Sequence, residues 1–155
     1  MTTPAKDGNC TICEKIGLRP FTKENIFYYY IPLNGLLNYG ALCVNVMNPA
    51  LVAKMLPGKK DATNVLLLSS VAGGAFYVYG RPHLRHVPAF QRGLYAIMAA
   101  GLWGMGSVLG WAVLKSLIPK DNGLATMAGL VAGVGIVKVT LDYFNETDKL
   151  VAAKK

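Results

Sequence analysis

Charge is distributed along this chain in a way that leaves few architectures open. Residues 26–47 form a 22-residue stretch without Asp, Glu, Lys or Arg, residues 62–80 a second of 19, and residues 93–114 a third of 22. A fourth stretch, residues 123–144, carries only Lys138 and Asp142, both towards its end. A helix needs about 20 apolar residues to cross the hydrocarbon of a bilayer. One such stretch could be the core helix of a water-soluble protein, but four in 155 residues leave too little polar sequence to cover them. The expected fold is all-α, an integral membrane bundle of about four transmembrane helices.

The remaining sequence divides accordingly. Residues 1–24 read as a polar arm, 25–144 as the transmembrane domain and 145–155 as a polar tail. The arm holds Lys6, Asp7, Glu14, Lys15, Arg19, Lys23 and Glu24, which leaves no apolar run of the kind a cleavable secretory signal needs. Only 15% of all residues are charged, against roughly a quarter in soluble domains. The net charge of +8 comes from bases dispersed over several connections. That pattern suits anionic headgroups or acidic partner surfaces, and it lacks the aromatic-interleaved basic motif of a nucleic-acid binder.

Prolines and glycines mark the joints. Tyr28, Tyr29 and Tyr30 suit an interfacial aromatic belt, and Pro32 either kinks the first helix or opens it. Pro82 and Pro88 exclude a regular helix over 81–92. Pro119, Asn122 and Gly123 make a compact turn, so the last two spans form an antiparallel hairpin. An even number of spans places both ends of the chain on one side together with 81–92. Eleven of the 16 basic residues then lie on that side, which the positive-inside rule assigns to the more negative compartment.

Small residues recur every fourth position: Ser69 and Gly73, Ser70 and Gly74, Gly106 and Gly110, and the stripe Ala125, Gly129, Gly133. Residues four apart share a helix face, so such stripes let backbones approach closely, which drives association where lipid removes the hydrophobic effect. Gly73, Gly106, Gly110, Ala125, Gly129 and Gly133 are therefore the expected packing positions, inside the bundle or against a larger complex. Asn34, Asn38 and Asn45 fall near one face of the first span and call for hydrogen bonds between helices, with a polar conduit wall as the alternative. Lys138 and Asp142, four apart, can pair with each other.

Other polar clusters carry weaker signals. Cys10 and Cys13 form C-x-x-C, which reads as a disulfide in an oxidising compartment and as a redox or metal pair in a reducing one. Arg81, Arg85 and Arg92, beside His83 and His86, form a basic interfacial loop suited to anionic headgroups such as those of cardiolipin. The P-loop, H-E-x-x-H and G-x-S-x-G motifs are all lacking. No catalytic residue, cofactor or metal is expected.

Ser70-Val71-Ala72-Gly73, Gly106-Ser107-Val108-Leu109-Gly110, Pro119-Lys120-Asp121 and Ala128-Gly129-Leu130-Val131-Ala132-Gly133 resemble segments of a four-helix accessory subunit of respiratory complex I. That alpha-subcomplex subunit is related to the inner-membrane translocase (Tim) family. The similarity covers residues 62–137. It implies a multi-pass protein of the mitochondrial inner membrane that binds other membrane-arm subunits of NADH:ubiquinone oxidoreductase and cardiolipin, without catalysis. It also implies chain ends in the intermembrane space, opposite to the side given by the charge count if the more negative compartment is the matrix. A channel or translocase subunit of an organellar membrane is the alternative, with Asn34, Asn38 and Lys138 along a wetted face.

Overall fold

A computed structural model describes residues 21–55, 62–118 and 121–154. Cys10, Cys13, Lys59, Lys60 and the Pro119-Lys120 part of the expected turn lie outside these. The described residues are helical almost throughout and contain no strand.

The chain enters through a helical turn, Lys23–Asn25, whose first residue follows the capping Thr22 hydroxyl. It continues through a π-helical turn, Ile26–Tyr30, into α1, Ile31–Met47. Pro32 has no N–H to donate and its ring crowds the carbonyl four residues back. The wider π turn directly before it absorbs that mismatch, so the rod runs through Pro32 without stopping. It ends at Asn48, at φ −142° and ψ 77°, because the residue before a proline is pushed out of the α region. Pro49 then opens a separate short helix, α2, Pro49–Met55, and the Asn48 side chain accepts from the Leu51 N–H at its start.

Three longer helices follow: α3, Ala62–Tyr79; α4, Ala89–Leu117; and α5, Asn122–Ala153. All three are long and apolar enough to cross a membrane. Between α3 and α4 the prolines leave only the 3₁₀ turn Pro82–Leu84, and α4 starts immediately after Pro88. The Asp121 carboxylate caps α5, accepting from the N–H groups of Gly123 and Leu124 at 2.8 and 3.1 Å. The polar stretch that begins at 145 continues α5, which runs to Ala153. No glycine or proline follows Gly135 to stop it, and its 32 residues span about 48 Å, well beyond a hydrocarbon core of about 30 Å.

Helix α1 sits at the centre and touches α3, α4 and α5. The core around it is aromatic. Tyr39 stacks on Trp103 at 4.3 Å between ring centroids and leans on Trp111 at 4.8 Å. Its hydroxyl donates to Ser107 Oγ at 3.0 Å, and Ser107 donates on to the Trp103 carbonyl at 2.7 Å. The hydroxyls of Tyr39 and Ser107 thus both have partners. Large apolar side chains meanwhile point outwards, Leu102, Leu109, Val131 and Val134 among them. In water that surface would be a severe liability; in lipid it is the ordinary outer face.

Candidate functional site

The small residues fall into two groups. In the first, backbones or core side chains fill the space a side chain would need. A Cβ on Gly73 would lie 2.5 Å from the Gly35 Cα and 2.9 Å from the Ile31 carbonyl oxygen. On α5, a Cβ at Gly129 would meet Met47 Cε at 2.7 Å, and one at Gly133 would meet Trp111 Cζ2 at 3.3 Å. Ala125, in the same stripe, is fully buried. One face of α5 therefore lies along α1, with Cys43 and Met47 filling the contact.

Gly106 and Gly110 belong to the second group. As positions inside the bundle they are corrected: a Cβ on either meets nothing within 4 Å. The buried face of α4 is instead Ala96, Ala100, Gly104, Ser107 and Trp111. At 100° per residue the two faces lie roughly 100° apart. Gly106 and Gly110 form a shallow strip on the outside, flanked by the exposed side chains of Leu102, Leu109 and Val113.

At one end of the bundle the basic loop meets the last turns of α5. Arg81 Nη1 donates to Asp148 Oδ2 at 3.1 Å and to Asn145 Oδ1 at 3.2 Å, and its Nη2 bonds the Tyr77 hydroxyl. The guanidinium also lies 4.4 Å from the Tyr77 ring centroid and 5.5 Å from that of Phe144. Asp148 Oδ1 accepts from the His83 N–H at 3.1 Å and faces His83 Nδ1 at 2.6 Å. Burial works against the Asp148 charge. The hydrogen bonds from His83 and the nearby Arg81 guanidinium outweigh it and hold the carboxyl below its ordinary pKa.

Arg81 is consequently not the free headgroup ligand expected of it: its charge is matched within the protein. Arg85 and His86 are exposed, and Arg92 lies over the Tyr79 ring at 3.9 Å with its Nε unpartnered among the described residues. Because Phe27 meets Phe76 and Gly80 lies against Tyr28, the start of the described chain, the 81–88 connection and the end of α5 share this end.

The remaining polar groups are engaged in ways the pattern only partly anticipated. Asn45 bridges α1 and α3 by donating to Thr63 Oγ1 at 2.7 Å, but Asn38 donates to Asn34 within α1. Lys138 and Asp142 are both exposed and form no ion pair among the described residues. At the other end of the bundle Lys115 Nζ donates to the Val46 carbonyl at 3.1 Å, satisfying an otherwise open end of α1. Among the described residues no three His, Cys, Asp or Glu side chains gather as metal ligands.

No family model, curated protein or solved structure matches this chain. The site has to be read from its own chemistry.

Several residues here carried no sequence signal. Asp148 lies more than 60 residues from Arg81 and His83, and no local spacing links them. Gly35 has no small residue four positions away. Ala96, Ala100 and Gly104, by contrast, obey the same four-residue rule that singled out Gly106 and Gly110. The pattern contained both faces, and only the packed bundle distinguishes inside from outside.

Proposed function

We propose that this chain is a non-catalytic accessory subunit of a mitochondrial inner-membrane respiratory complex, NADH:ubiquinone oxidoreductase. There it would support assembly and stability of the membrane arm. In this reading α1, lengthened by the two turns before it to 25 continuous helical residues, is the first of four spans. The small-residue faces of α1, α3 and α5 close the bundle, and the outer strip on α4 receives a helix of another subunit.

The observation that carries the proposal is the Gly106–Gly110 strip. Glycine costs helix stability, about 1 kcal/mol relative to alanine, and the bundle makes no internal use of these two. A neighbouring helix seated there would approach backbone to backbone. Exposed Arg85 and half-exposed Arg92 would meet anionic headgroups, cardiolipin included, at the rim of the contact.

Extraction in mild detergent followed by native electrophoresis tests this reading. Co-migration with respiratory subunits is the expected result. A solitary oligomer would overturn it in favour of a channel or translocase subunit.

A further inference from the structure

A cavity of about 320 Å³ opens within the bundle, walled by all four long helices through residues that include Pro32, Ser70, Ala99, Trp103 and Val137. Leu36, on its wall, is 44% exposed, so the space reaches the outer, lipid-facing surface. Nearly all of the lining is apolar. An apolar cavity of about 150 Å³ is already enough to bind benzene.

Two polar groups interrupt that lining. Ser70 is 1% exposed and its hydroxyl has no partner among the described residues; the Trp103 Nε1–H has none either. Deeper hydroxyls on the wall are already engaged, Thr140 donating to the Ile136 carbonyl and Tyr77 bonding Arg81, while Tyr28 and Tyr29 line it from the first turns of the rod. Gly74 faces Ala100 across the antiparallel α3–α4 pair, so the next turn brings Ser70 and Trp103 to the same height. Tyr39 stacks on the Trp103 ring and is itself anchored on Ser107, which fixes the direction of the indole.

We propose that this cavity binds a membrane-dissolved lipophile carrying a carbonyl oxygen, which the Ser70 hydroxyl and the Trp103 N–H receive together. Indole donates only and a hydroxyl can donate, so the pair matches the two lone pairs of one carbonyl oxygen. Both donors are already desolvated, and the ligand supplies the partner they lack. Depth selects the ligand class. Ser70 is the ninth residue of α3, about 13 Å from either end of the helix. Phospholipid ester groups lie in the interfacial layer, outside the hydrocarbon. The oxygen must therefore enter on a compact apolar body, and the small side chains of Gly74, Ala99 and Ala100 leave room for one.

Benzophenone is a suitable probe because it is apolar, carries one carbonyl and crosslinks on irradiation. Diphenylmethane has nearly the same shape without the oxygen. With the full chain in mild detergent, labelling should saturate and map to the cavity wall, Leu36 and Val137 included. Ser70→Ala and Trp103→Phe should each weaken it about three- to tenfold, the worth of one hydrogen bond. Diphenylmethane should compete poorly. Adducts spread equally over the outward-facing Leu102, Leu109 and Val131 would overturn the proposal, as would equal competition by diphenylmethane or unchanged labelling of both variants. Ser70→Ala removes a single oxygen and carries the test alone if Trp103→Phe does not fold.

Discussion

Gly35 on α1 and Gly73 on α3 face each other so closely that a Cβ on Gly35 would lie 2.6 Å from the Gly73 Cα. The neighbouring atoms are backbone and cannot swing aside. Gly73→Ala should therefore push α1 and α3 apart, at a cost of about 1–3 kcal/mol from overpacking. Thermal unfolding in detergent measures it. Gly40→Ala, on α1 where a Cβ meets nothing within 4 Å, should leave the midpoint unchanged or slightly raised. Equal midpoints for Gly73→Ala and the parent chain would contradict this geometry.

Gly129→Leu and Gly106→Leu should behave differently, although both replace glycine with leucine on a long helix. At Gly129 the side chain would collide with Met47 and Cys43, so the bundle itself should lose stability. At Gly106 it would project outwards. That variant should insert and unfold like the parent but no longer co-migrate with partner subunits on native gels. Undiminished co-migration would remove the outer strip as a docking surface.

The three arginines of the loop region should separate in the same manner. Arg85→Gln and Arg92→Gln should each reduce retained anionic phospholipid about fivefold, the equivalent of about 1 kcal/mol per basic residue near a charged surface. Arg81→Gln should do little to lipid retention. It should instead lower stability, since it leaves the Asp148 carboxylate, 15% exposed, without its charged partner. Lipid quantified after purification, set beside the unfolding midpoint, distinguishes the two effects.

How much of this was legible in advance depends on whether the cause is local. Helix positions follow from runs of uncharged residues, and the breaks at Pro82 and Pro88 follow from proline's missing N–H. The break at Asn48 is equally local, written in Pro49, and it falls where the first stretch, 26–47, ends. The stripe Ala125, Gly129, Gly133 lies inside the bundle because glycine and alanine there meet bulky residues on α1. The Gly106–Gly110 strip lies outside for a reason no helix-scale pattern contains. Trp111 and Ser107 set the rotation of α4, and they do so through Tyr39, nearly 70 positions earlier. The clamp of Arg81 and His83 on Asp148 is equally non-local. A basic loop can be read from sequence, but whether its charges are free for lipid depends on which carboxylate the fold brings to them.

That carboxylate gives the clamp a defined response to acid. The folded state holds the Asp148 pKa below its ordinary value of 3.8, so the proton binds more tightly to the unfolded chain. Stability from this source is then fully present above the ordinary carboxylate range and is lost as pH falls through the depressed folded value. The groups facing Asp148 are Arg81 and His83, with Tyr77 behind Arg81, and it is their hold on α5 that protonation releases. Hydrogen exchange at the Arg81, His83 and Leu84 amides should stay slow down to about pH 4 and accelerate below it. The core of α1 around Tyr39 should remain protected over the same range. Asp148→Asn should give faster exchange in the loop at neutral pH and no further acid step. An acid step of unchanged size in that variant would show that another group controls the loop.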